Sequence, residues 1–150
     1  MSLKDTIQED TKAALLSGNR FVGDTLRNLK AAILNEEVAQ GKRDEGLADA
    51  EIEKIIAREV KKRNESITVY EANGRPELAE TEKQEAEIIA KYLPKQLSED
   101  EIRAIVEAKI AELGVSGPQA MGQVIGAVKQ QVGTSADGAV VARIVKENLN

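Results

Sequence analysis

The 150-residue chain is 41% hydrophobic but only 2% aromatic, carries a formal net charge of −5, and has neither cysteine nor histidine. Those absences exclude disulfides, thiolate nucleophiles, imidazole bases and the usual zinc sites. With Phe21, Tyr70 and Tyr92 as its aromatic side chains there is no platform for stacking bases, and the acidic balance repels a polyanion unless a local basic patch counters it.

Apolar residues recur at helical spacing throughout and no stretch alternates with period two, which predicts an all-α fold. Leu3 to Leu16 forms the first predicted helix, closed by Ser17-Gly18-Asn19. A second starts at Arg20 or Asp24 and continues through Glu37, with Val22, Leu26, Leu29 and Ile33 inward; Gln40-Gly41 then opens a charged loop. The third starts near Asp49, carries Ile52, Ile55, Ile56, Val60, Ile67 and Tyr70 on one side, and ends at Asn73-Gly74 after about six turns. Pro76 suits the first position of a fourth helix, which runs past Tyr92 until Pro94 stops it.

Ser98 and Glu101 have the spacing of a capping box, opening a fifth helix along Ile102, Ile105, Val106, Ile110 and Leu113 that Gly114 closes. Gly117-Pro118 opens a sixth, ended by Gly133, and Asp137 is placed to cap a seventh with Val140, Val141, Ile144, Val145 and Leu149 buried. The proline within LPKQL is the best boundary. It predicts a four-helix module with a long helical hairpin over residues 1–94 and a three-helix bundle over 95–150. The first twenty residues mix charge with apolar residues and read as neither secretory leader nor membrane anchor, so a cytoplasmic location and no membrane contact are expected.

Charged residues interrupt the apolar stripes of the first module: Glu37, Glu59, Arg63, Glu82 and Glu85. Across a hairpin turning at Gly74, Arg63 is expected near Glu82 and Glu85. A structural ion network that fixes register is the favoured reading, because carboxylate-bridged metal sites in bundles ordinarily include histidine; no metal, cofactor or catalytic residue is expected. The basic run REVKKR at 58–63 dilutes once wrapped on a helix, where Lys54, Arg58 and Lys61 face outward beside Glu51 and Glu65.

The last module carries a less ordinary pattern. Gly122, Gly126, Lys129 and Gly133 form a stripe beside the apolar face of Met121, Val124, Ile125, Val128 and Val132. A glycine inside a helix costs roughly 0.8–1 kcal/mol relative to alanine, so the stripe calls for close approach by something: a neighbouring helix or a phosphate. Arg143 and Lys146 project from the seventh helix away from its apolar face, and Asp137-Gly138 sits where helix-start amides attract anions.

Five segments carry a family resemblance: LRNLKAA at 26–32, REVKKR at 58–63, GRPELA at 74–79, YLPKQLS at 92–98, and the final pattern of Met121-Gly122, Gly126, Lys129 and Asp137-Gly138. Together they resemble the YqeY-like proteins of bacteria, from the first helix to the last. The resemblance implies a helical pair of domains and extends to the tail of the GatB protein of the tRNA-dependent amidotransferase, which helps hold tRNA without catalysing amide transfer. What it implies here is a non-catalytic module docking tRNA or another structured RNA. Alternatives are docking of a partner helix, from a second copy or from an amidotransferase subunit, and an accessory role in carbon–nitrogen ligation with glutamine as amido donor. The resemblance carries Gly122, Gly126, Lys129, Asp137 and Gly138 as contact positions; Arg143 and Lys146 join them on charge.

Overall fold

A computed structural model describes Met1–Asn150 as seven α-helices and no strands. They are α1 (Leu3–Leu16), α2 (Arg20–Ala39), α3 (Asp49–Ala72), α4 (Pro76–Ala90), α5 (Glu99–Leu113), α6 (Met121–Val132) and α7 (Gly138–Leu149), with short 3-10 turns at Pro118–Ala120 and Gly133–Ser135. No helix is long and apolar enough to cross a membrane.

Helix starts are set by side chains that satisfy otherwise free amides. Ser2 accepts from the Asp5 amide at 3.1 Å and Asn19 from Val22 at 3.3 Å. The Ser98–Glu101 capping box is reciprocal, at 3.2 and 3.3 Å. At the far end of α5, Gly114 adopts a left-handed φ of 64° and returns its N–H to the Ile110 carbonyl.

Three boundaries differ from expectation. Helix α2 continues to Ala39, two residues past Glu37. Helix α4 stops at Ala90, short of Pro94, because the residue before a proline is driven out of the helical region. The chain tightens instead, with Tyr92 N–H on the Ile89 carbonyl and Leu93 N–H on Ala90. Pro118 begins a 3-10 turn, and α6 proper starts only at Met121.

Two compact units result, Met1–Leu93 and Pro94–Asn150. The first packs α1 to α4 around Ile7, Leu26, Leu29, Ile33, Leu47, Ile52, Ile55, Ile56 and Ile89. Helices α1 and α2 form a tight hairpin in which Leu15 lies over Gly23: a Cβ there would stand 2.5 Å from Leu15 Cδ2 and would push that side chain aside. Helices α3 and α4 form a longer hairpin about Gly74, whose outer half buries little: past Ile56 no residue of α3 is fully buried. The second unit packs α5, α6 and α7 around Ile102, Val106, Val124, Val128, Val141, Ile144, Val145 and their neighbours.

One charged residue is buried inside the first unit, beside the hydroxyls of Thr11 and Thr25, which bond back to their own helices. Glu37 is 1% exposed; it accepts from Lys4 Nζ at 2.8 and 3.1 Å and from the Leu47 amide at 3.3 Å. It ties the start of α1 and the loop before α3 to the end of α2. Only the carboxylate is buried, Lys4 being 48% exposed, so losing the lysine strands the Glu37 charge less completely than in a fully buried pair, whereas replacing both by apolar residues is milder still. We therefore expect Lys4→Met to lower unfolding free energy in urea by about 1–2 kcal/mol, the cost of a lost charge-assisted hydrogen bond that solvent partly replaces. The Lys4→Met/Glu37→Met double variant should recover much of that loss, the remainder being the Leu47 amide left without an acceptor.

Candidate functional site

In the first unit the hairpin brings together most of the charged residues that interrupt its apolar stripes. Arg63, deeply set between α3 and α4, donates from Nε to Glu85 at 3.3 Å and from Nη1 to the Glu59 carbonyl at 3.2 Å; the Glu59 carboxylate meets Lys62 at 3.2 Å. Glu82 lies beside this group without a cation of its own; burial first, then the Glu85 charge, raise its pKa against the pull of Arg63. Glu37, the remaining charge that interrupts an apolar stripe, stands apart from this group in its contact with Lys4. No three acidic side chains converge in a way that would hold a metal ion. The Arg63–Glu85 pair and the Arg63–Glu59 carbonyl contact link α3 to α4 and α3 to itself across this half-buried group.

In the second unit α6 turns Val124, Val128 and Val132 into the core. Gly122 and Gly126 sit on its exposed side, and a Cβ on either would meet nothing within 4 Å. The chain's own helices make no use of them. Gly138, the first residue of α7, is different: a Cβ there would stand 3.0 Å from Lys129 Cε and 3.2 Å from its Nζ. The Lys129 ammonium thus lies over the start of α7, the positive end of the helix dipole, a place that favours an anion. Asp137 occupies part of that end as its cap, accepting from the Ala139 amide at 2.9 Å.

The remaining basic candidates divide. Arg143 is bound to Glu99 on α5 and, at 3.1 Å, to Glu147 on its own helix; the Glu147 hydrogen bond and the Glu99 charge raise its pKa further. Arg103 joins the same network through Asp100 and Glu147. Arg143 therefore fastens α7 to α5, whereas Lys146 is exposed and makes no ion pair. Gln96 was visible in the sequence only as part of a boundary. Its carboxamide donates to the Thr134 carbonyl at 3.0 Å, while the Leu97 amide donates to Ser135 at 2.8 Å, so this segment holds the loop that presents Asp137.

Comparison with known proteins gives a consistent picture. A family model described as Yqey-like protein matches residues 4–149. Three relatives are each named Altered inheritance of mitochondria protein 41, mitochondrial. That of Clavispora lusitaniae is 32% identical over 92 residues, 61% of this chain and 52% of the relative. That of Lachancea thermotolerans is 33% identical over 115 residues (75% and 60%), and that of Eremothecium gossypii 31% over 109 (71% and 58%). The chain thus spans only about half to three-fifths of the relatives' length. Their naming overturns the cytoplasmic location expected above. That expectation rested on the lack of an apolar leader, which bears on secretion and not on organelle targeting, since transit peptides are amphipathic and basic.

Two outcomes follow. Because the folded-state pKa of Glu82 lies above its ordinary value of 4.5, ionising it opposes folding, and its unfavourable contribution grows as pH rises through that range. Glu82→Gln should accordingly raise the thermal midpoint at neutral pH, with the gain fading as the pH falls below 4.5. Separately, Gly122→Ala and Gly126→Ala should each stabilise the second unit by about 0.5–1 kcal/mol in urea titrations, since helical propensity improves and nothing blocks the methyl group.

Proposed function

Since the chain belongs to the YqeY-like family, we propose that it is a non-catalytic RNA-docking protein whose second unit grips tRNA, or another structured RNA, by shape and phosphate. What carries the reading is the pair of helix-weakening glycines, Gly122 and Gly126, on an open face of α6. A surface that gives up stability within the chain gains from contact with something outside it. The absence of side chains there allows a sugar–phosphate backbone to approach the helix, and a bulky residue would hold it off.

Charge supports the same face. Five of the second unit's seven acidic residues lie on α5 (Glu99, Asp100, Glu101, Glu107 and Glu112), and of the other two Asp137 is engaged as the α7 cap and Glu147 by Arg143 and Arg103, whereas its unpaired cations include Lys129 and Lys146 on α6 and α7. Lys129, standing over the start of α7, supplies a phosphate contact together with the helix dipole, and Asp137 orders that start. Arg143 contributes indirectly, by keeping α7 on α5. The few aromatic side chains fit recognition of RNA shape over base stacking. The likeness of the final motif to the GatB tail gives tRNA as the first candidate among structured RNAs. The same open glycine face would also suit a partner helix, contributed by a second copy or by an amidotransferase subunit.

Binding of the full chain to total tRNA, measured by filter retention between 50 and 200 mM salt, tests this reading. Affinity should fall steeply with salt, and Lys129→Ala and Lys146→Ala should each reduce the salt slope by about 1. Gly126→Leu should abolish binding while leaving the circular dichroism spectrum of a helical protein. Retained affinity in Gly126→Leu, or no binding at low salt, would remove RNA docking; salt-insensitive capture of the amidotransferase through the same face would put helix docking in its place.

A further inference from the structure

The first unit contains a cavity of about 450 Å³ between α1 and α2, and no part of the RNA-docking reading uses it. Its floor is apolar: Ile7 and Ile33 reach it from the core, and Ala31 and Leu34 continue it toward solvent, Leu34 being 43% exposed. An exposed leucine bordering a hollow is surface that water covers at a cost in free energy.

The polar groups stand around this floor. At one end Glu37 and Lys4 neutralise each other, and the Leu47 amide takes up further acceptor capacity of the carboxylate. Asp5 is exposed and lies in the first turn of α1, where the helix dipole favours its charge. Lys30 on α2 and Gln8 on α1 are different. Both border the cavity, both are partly withdrawn from water, and neither makes an ion pair or side-chain hydrogen bond within the chain. An ammonium and a carboxamide N–H on opposite walls are two donors with one kind of acceptor in common.

We infer that this cavity binds an aliphatic monocarboxylate, with its chain against Ile7, Ile33 and Leu34 and its head group on Lys30 and Gln8. The volume lies within the roughly 300–1,000 Å³ of small-molecule sites. A cationic head group would find Glu37 already satisfied by Lys4 and, at the rim, the solvated Asp5, whose charge the α1 dipole already favours. An uncharged one would gain burial of its chain alone, without the charge-assisted hydrogen bond.

Decanoate titrated into the isotope-labelled full chain, below its micellar concentration and followed by backbone amide shifts, tests the assignment, with decan-1-ol as the uncharged probe. Saturable shifts confined to residues 4–8 and 30–37 are expected, with decanoate at least about tenfold tighter than decanol, the worth of a charge-assisted hydrogen bond. Lys30→Gln should bring decanoate down to the affinity of decanol and leave decanol unchanged, Lys30→Arg should retain the preference, and Gln8→Ala should weaken decanoate by a smaller factor. Should Lys30→Gln perturb the fold, its own amide spectrum will show it, and the decanoate-to-decanol ratio on the unaltered protein decides. Absent shifts, shifts scattered equally over exposed residues such as Leu16 and Val69, equal affinity for the two probes, or binding untouched by Lys30→Gln would each overturn the inference.

Discussion

Pro94 is the constraint from which the organisation of the molecule follows. A proline has no amide to give a helix and forces the residue before it out of the helical region, so α4 cannot run on into α5. The apolar stripes before and after this break pack into two separate aliphatic cores. Neither has a disulfide to lean on, and Tyr92 at the edge of the first is the aromatic side chain packed against either core. Close geometry takes over that role: the Gly23 approach and the Glu37 tie in the first unit, and in the second the α5 capping box with the Glu99–Arg143–Glu147 network.

How far the sequence discloses this depends on the range of the interaction responsible. Caps and terminators act within four residues, so Ser98 with Glu101, Gly114 and Asp137 could be read directly. Where two local rules compete, the boundary shifts: Tyr92 is apolar enough to extend α4, yet the proline two residues later overrules it. Glu37 could be marked as anomalous on an apolar stripe, but its partner Lys4 lies 33 residues away, and nothing local joins them. Conversely, Arg63 and Glu85 were legible as neighbours because a hairpin with a known turning point fixes which residues face each other.

Glycines show the same limit in reverse. Gly23 attracts no notice in the sequence, yet the side chain of Leu15 on the neighbouring helix presses against it; Gly122 and Gly126 form a conspicuous stripe and face open space. Helical periodicity reports which residues share a side, and cannot report what stands opposite. Arg143 makes the parallel point for charge. An outward-facing cation looks free on a helical wheel, but the acidic residues that occupy it come from a helix more than forty positions earlier as well as from its own next turn.

The long α3–α4 hairpin has an uneven hold on the rest of its unit. Near the core, Ile52, Ile55, Ile56 and Ile89 anchor it; toward Gly74 it is held by small side chains such as Ala79 and by exposed pairs such as Lys83–Glu71 at 2.9 Å, which contribute little each. Opening therefore becomes progressively easier along its length. Its burial pattern implies amide exchange through fraying that starts at the Asn73-Gly74 tip and travels inward toward Arg63, with the base around Ile52, Ile56 and Ile89 held by the core. A single pair of helices thus spans the range from a marginal, rapidly reversible element to one as durable as the core itself.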